Sequence, residues 1–271
     1  MKNSFNSFKD IQADKWVVNV RGRYNLKTIL FLNKNLGEKL NSHMLNSKKG
    51  WMYDTQMLLP EINSEYVLFW IEDHINMEKV ETYRDILKEM KEYSVDHLIY
   101  SWWHETTKNT YQAVDQLKGK NLKIYDMNLE SVNIINKDIG KFFYIVTMQS
   151  ITNVNFFKKI INTNILLKRW PKNTPFDFEK NSKDISILPF RTSIPRMELF
   201  ANIDDDHDNP GYSLISRGLY KEVDLNDSLR EVQIKLFNKR PLYLKNITKN
   251  KLYIMLSHAK NIVKRIKYTL W

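Results

Sequence analysis

Short apolar runs alternate along this chain with longer stretches in which hydrophobic residues recur at helical spacing. Trp16 to Tyr24 (WVVNVRGRY) is apolar and β-branched and closes on Arg21 and Gly22, which predicts a strand leading into a loop. A helical stretch follows near Leu26 to Leu40, and Lys48, Lys49 and Gly50 mark a turn. Trp51, Asp54, Met57, Leu58 and Ile62 then keep roughly helical spacing as far as Ser64. Tyr66 to Ile71 (YVLFWI) is apolar without alternation, the pattern of a central strand covered on both faces, and it stops at Glu72, Asp73 and His74. Met77 to Glu92 sets Met77, Val80, Ile86, Leu87 and Met90 among charges, which predicts an amphipathic helix.

Further strands are expected at His97 to Trp103, Leu122 to Tyr125 and Phe142 to Met148, and a helix at Val154 to Ile161. This alternation argues for an α/β layer architecture. From Lys168 to Pro210 the prolines at 171, 175, 189, 195 and 210 break regular structure, so long ordered loops are expected, a common home for binding residues. In the last stretch, Leu252, Met255, Leu256, Ala259, Ile262, Val263 and Ile266 recur at helical spacing among Lys251, Lys260, Lys264, Arg265 and Lys267. Such a helix either closes the core with a wet basic face or lies on an anionic membrane surface. The expected organisation is one α/β domain over residues 1–248 and a basic amphipathic helix over 249–271.

Composition narrows the classes. Apolar residues make up 42% of the 271, enough to bury a sizeable core. No window approaches the roughly 18 uninterrupted apolar residues of a membrane span, and Met1 to Asp10 lacks the apolar centre of a secretory signal, so a cytoplasmic location is expected. The absence of Cys excludes disulfides, thiolate nucleophiles and Cys-ligated zinc, leaving oxygen and imidazole as metal ligands. Lys and Arg total 42 against 31 Asp and Glu, a net 42 − 31 = +11 that favours nucleotide, nucleic acid or anionic membrane as partner; an AT-rich genome would enrich Lys and Asn with no such purpose.

Glu72-Asp73-His74 follows the apolar strand, and open α/β sheets bind ligands in the crevice at strand carboxyl ends. Carboxylates there suit Mg²⁺ or Mn²⁺, which share their coordination with phosphate oxygens, although a solvated charged turn has the same composition. A second acidic cluster, Asp204-Asp205-Asp206-His207-Asp208, lies between PRMEL (195–199) and PGYS (210–213), and reads equally as a ligand site or a solvated loop. Its consecutive acids do not have the alternating spacing of an EF-hand. Arg191, Arg196 and Arg217 are candidates for diphosphate contact, and Trp102-Trp103-His104-Glu105 for sugar stacking or core packing.

The layout of strand, helix, Lys-Lys-Gly-Trp turn, helix and apolar strand ending in acids, with YVLFWIEDH as its centre, resembles the nucleotide-sugar glycosyltransferases of the GT-A fold. The resemblance implies a GT-A-like mixed sheet flanked by helices, a loop-rich C-terminal part, and a divalent cation, Mn²⁺ or Mg²⁺, held on the nucleotide diphosphate. Asp73 is then the foremost metal ligand, with Glu72 and His74 beside it. Asn19 and Arg21, at the end of the first strand, and Asp54, on the helix after the Lys-Lys-Gly turn, would line the nucleotide pocket. Glu198 and Asp205 are the candidates for the base that deprotonates an acceptor hydroxyl. The implied partners are a nucleotide-sugar donor and a carbohydrate or lipid-linked acceptor, as in surface-polysaccharide synthesis at the inner face of a membrane, with no nucleic acid. Only Met1 to Lys15 precede Trp16, so the family's first βα unit is expected to be missing, and His74 stands where a second acid is frequent. Two other readings follow from the same residues: a nucleic-acid-binding protein, from the charge and the 13% aromatics, and an inactive relative acting as a scaffold.

Overall fold

The structure, a computed structural model, describes residues 1–99, 111, 114, 116–139, 146–147, 149–163, 185–203, 213–215 and 217–220. The expected C-terminal helix, the 248/249 boundary, Asp204 to Asp208 and Trp102 to Glu105 lie outside them. The chain divides into two compact units, Met1–Asn202 and Ile203–Trp271. In the second, the described residues form a tight turn in which Gly218 adopts φ +70° and the Leu219 N–H donates to Leu214 O at 2.9 Å.

The first unit is mixed α/β, a mixed sheet flanked by helices. In chain order its elements are α1 (Lys2–Phe8), β1 (Trp16–Asn19), α2 (Asn25–Leu36), β2 (Leu40–His43), α3 (Trp51–Leu58), β3 (Tyr66–Leu68), β4 (His74–Asn76), α4 (Val80–Glu92), β5 (His97–Ile99), β6 (Gln116–Lys118), β7 (Leu122–Met127), α5 (Leu129–Ile139), β8 (Ser150–Asn153), α6 (Val154–Asn162), β9 (Phe190–Pro195) and β10 (Phe200–Asn202). Six strands form one sheet in the order β3-β8-β5-β9-β7-β6; β1 pairs with β2 in parallel, and β4 with β10 antiparallel. Within the six, β5 and β9 run parallel and the other pairs antiparallel.

Two hydrophobic clusters cover the faces of this sheet. Trp51 and Met52 of α3 and Phe156, Phe157 and Ile160 of α6 pack on one side with Ile99, Tyr125 and Ile194. Phe5 and Phe8 of α1, Leu32 of α2 and Tyr83, Ile86 and Met90 of α4 pack with Leu98, Ile124 and Ile151. The segment from Tyr66 to Ile71 contributes to both: Val67, Phe69 and Ile71 meet the first cluster, while Tyr66, Leu68 and Trp70 meet the second. That period of two explains its unbroken apolarity. The segment is not central, as expected from sequence, but stands at one end of the six-stranded order among the described residues. Its second face is covered by the aromatic rings of Phe5 and Trp16, with Trp70 lying 6.4 and 5.5 Å from them, so a helix and a separate small sheet substitute for further strands.

Three other expectations change. The helix expected to reach Leu40 stops at Leu36, because Gly37 adopts φ +53° and ends it, and Leu40–His43 is a strand. Of the strand expected over Phe142 to Met148, Val146 and Thr147 are described and are not extended into a ladder; β8 begins at Ser150 instead, a polar SITN segment whose burial depends on hydrogen bonding. In the expected loop region, Phe190–Pro195 is a six-residue strand between β5 and β7. Its prolines bracket it: Pro189 precedes it and Pro195 is its last residue, where a missing N–H does least harm.

Candidate functional site

The residues singled out for a nucleotide pocket come together. Parallel pairing of β1 with β2 sets Asn19 against His43, so the chain leaving each strand enters the same space. There the Leu45 N–H donates to Asn19 Oδ1 at 2.8 Å, and Asn19 Nδ2 and Arg21 Nε donate to Leu45 O at 3.2 and 3.1 Å. Asp54, in the first turn of α3, is buried, pairs with the Arg21 guanidinium and accepts the Ser47 N–H on both oxygens at 3.2 Å. The outcome is a buried carboxylate held by two protein donors and a partly exposed guanidinium fixed beside it.

Trp51, on the same helix as Asp54, packs its ring 5.7 Å from that of Phe69, which ties this cluster to the strand leading to the acids. Glu72 and Asp73 form the tight turn between β3 and β4. Glu72 is exposed, whereas Asp73 is half-buried and its Oδ1 lies 2.6 Å from His74 Nδ1. Burial works against the Asp73 charge, but the hydrogen bond from His74 and the nearby Met1 amino group outweigh it and hold the carboxyl below the usual carboxylate range.

Two residues not selected from the sequence complete this cluster. Gln149 is buried (4% exposed) with Nε2 3.2 Å from His74 Nδ1, and Asn202, also 4% exposed, stands opposite His74 in the β4–β10 ladder. Paired residues on antiparallel strands project to the same side, so the Asn202 amide shares the space next to His74. Among the described residues, neither Gln149 Oε1 nor Asn202 Oδ1 has a hydrogen-bond partner. An ionised Asp73 accepts a hydrogen bond from His74 Nδ1–H, so whichever end the Gln149 amide turns to the imidazole, its other end faces away from it. Each buried polar atom without one costs on the order of 1–3 kcal/mol, and folded proteins leave few. Only tertiary structure could identify this pair, since isolated Gln and Asn residues carry no sequence signal.

Gln149 is itself held from behind. His97 is fully buried on β5; its Nδ1 donates to Thr152 Oγ1 at 2.9 Å and its Nε2 accepts the Thr147 N–H at 3.0 Å. Thr147 Oγ1 then donates to Gln149 O at 3.0 Å. Burial in apolar surroundings pushes the His97 imidazole down to about 3, so it is neutral near pH 7 and both ring nitrogens keep these roles.

Not every candidate joins the cluster. Among the described residues no three His, Asp or Glu side chains gather closely enough to hold a metal ion; the oxygen donors near His74 are the Asp73 carboxylate and the two amide oxygens. Glu198 lies two residues before β10, at the Met77 end of the ladder, about 13 Å of extended chain from Asn202 and thus away from Asp73. Asp205 is outside the described residues. Arg191 is committed to Asp126 (2.7 and 3.1 Å) and to Tyr93 O, and Arg196 to Gly119 O, so both serve the far edge of the sheet. Arg217 lies in the turn of the second unit. Compared with known proteins, the chain matches no family model and no curated sequence.

Proposed function

We propose that the chain is a glycosyltransferase of the GT-A type, which moves a sugar from a nucleotide-diphosphate donor to a carbohydrate or lipid-linked acceptor. The observation that carries this reading is the polar cluster at the end of the β3 segment, where an ionised Asp73 stands beside two buried amides with unfilled hydrogen-bonding capacity. A carboxylate and two amide oxygens form a hard donor set that fits Mg²⁺ or Mn²⁺ shared with phosphate oxygens, and equally fits sugar hydroxyls, which donate and accept. When bound, the ion offsets charge on the diphosphate leaving group. Asp73 holds it, His74 fixes the carboxylate rotamer, and Gln149 and Asn202 orient what lies against them. Asn19, Arg21 and Asp54 supply the nucleotide side: the guanidinium is pre-positioned by Asp54 and needs no rearrangement to meet a base or phosphate. Glu198 and Asp205 are the carboxylates proposed as acceptor base, of which Glu198 must bridge the length of the β4–β10 ladder to act with Asp73.

Calorimetric titration with a panel of nucleoside diphosphates and their sugars, with and without Mn²⁺, tests this. Wild type is expected to bind one nucleotide in a Mn²⁺-dependent way. Asp73→Ala should remove the metal dependence, and Gln149→Leu should weaken binding of the sugar nucleotide roughly tenfold relative to the bare diphosphate, the equivalent of one lost polar contact. Binding of equal strength in wild type and Asp73→Ala would sink the assignment.

A further inference from the structure

Helix α2 presents an outer face that a folded chain in water has no reason to make. Leu26 and Leu30, one turn apart, are 63% and 69% exposed, and Tyr24, just before the helix, is 58% exposed. Lys27 and Lys34 are exposed one and eight residues after Leu26, so these cations flank the two leucines on the same side of the helix, and Arg23 is exposed just before it. Arg23 and Lys27 lie 5.2 and 5.9 Å from the Tyr24 ring centroid and hold it in a cationic setting. From Arg21 to Leu36 there is no Asp or Glu. The opposite face is occupied: Leu32 is fully buried, and Phe31 and Leu36 pack with the α1 and α4 cluster.

We propose that this face docks on an anionic lipid surface, with Leu26, Leu30 and Tyr24 entering the headgroup region and Arg23, Lys27 and Lys34 contacting lipid phosphates. Charge complementarity identifies the occupant. Leucines flanked by cations, with a tyrosine at the boundary, match the layered chemistry of an interface, apolar below and anionic above. Single-stranded nucleic acid would be met by stacking rings, whereas the most exposed apolar residues here are aliphatic. The inference does not depend on the transferase reading. It does place the membrane beside Arg21 and Asp54, because α2 begins four residues after Arg21.

The absence of native cysteine makes the test site-specific. In the full chain, Asn33→Cys puts a single thiol on the exposed face of α2, and Lys88→Cys puts one on the exposed face of α4. Each is labelled with an environment-sensitive fluorophore and mixed with phosphatidylcholine vesicles, or with vesicles of phosphatidylcholine and phosphatidylglycerol at a 7:3 ratio. The label at position 33 should shift to the blue and brighten only with the anionic vesicles, and the label at position 88 should stay unchanged. In the Asn33→Cys background, Lys27→Glu should lower partition roughly fivefold or more, and Leu26→Ser with Leu30→Ser on the order of tenfold. Three results would overturn the proposal: sedimentation with anionic vesicles while the label at 33 stays silent, which assigns membrane binding to another surface; partition unaffected by the α2 substitutions; or a response at 33 to an oligonucleotide but not to vesicles.

Discussion

Alanine at Gly119 is expected to destabilise the protein by about 3–5 kcal/mol, as much as the loss of a buried, hydrogen-bonded charge. A Cβ on Gly119 would lie 1.6 Å from Glu89 Oε1 and 3.2 Å from Leu122 O. The carboxylate cannot simply swing aside. It is buried on α4 and accepts the Asn121 N–H at 2.9 Å and the Leu122 N–H at 3.0 Å, closing the turn between β6 and β7. Moving it breaks these charge-assisted bonds and leaves two N–H groups unpaired. Glu89→Ala alone should cost about 2–4 kcal/mol for the same unpaired donors. The double variant is the informative one: with the carboxylate gone, the new methyl occupies its space, so the second substitution should add little. Urea denaturation of the four proteins should therefore give a coupling of about 2 kcal/mol or more, and strict additivity would refute the steric account.

The second large effect is acid lability centred on His97. In the fold its imidazole is pushed down to about 3 by burial, while in the unfolded chain it titrates near the ordinary value of 6.5. Above pH 6.5 both states are neutral and the full stability is present. As pH falls below 6.5 the unfolded chain takes up a proton that the fold refuses, and stability declines by about 1.4 kcal/mol per pH unit until the folded value is reached. Between pH 6.5 and 4.5 the loss amounts to about 3 kcal/mol. Carboxylates held low in the fold, such as Asp73 and Glu61, add their own loss only at more acid pH, since their ordinary values lie near 4. Denaturation midpoints measured in steps from pH 7.5 to 4.5 should show this limb, and His97→Gln, less stable at neutral pH, should flatten it. An undiminished slope in the variant would assign the proton elsewhere.

His97 marks one limit of what the sequence makes legible. His97 was legible as the start of a strand, from the apolar residues beyond it, but the hydroxyl network of Ser150 and Thr152 that satisfies it was not, because polar SITN has no hydrophobic signature. Phe190–Pro195 was hidden for a related reason: prolines at its boundaries look like strand breakers until the ladder shows that they stand at its ends. For the candidate site, Asn19, Arg21 and Asp54 came from the resemblance to a family layout, and they converge on the Leu45–Ser47 segment. Gln149 and Asn202 were out of reach, since their significance lies in what their oxygens lack.

Local pattern fixed most of the element types before β6. Periodicity of 3.6 or 2 reports directly on which side of a segment meets apolar matter, so α3, α4, α6 and the β3 segment were each legible in outline. The pattern also required that Tyr66 to Ile71 be covered on both faces, as it is. It could not say by what. Two faces look alike in sequence whether the cover is a neighbouring layer of helices or an aromatic cluster from α1 and β1, because burial is a sum over partners and carries no record of their identity. Which strand lies at the end of the sheet, which amides are sealed beside His74, and which leucines of α2 remain outside are decided by contacts between residues far apart in the chain, and only the tertiary structure contains them.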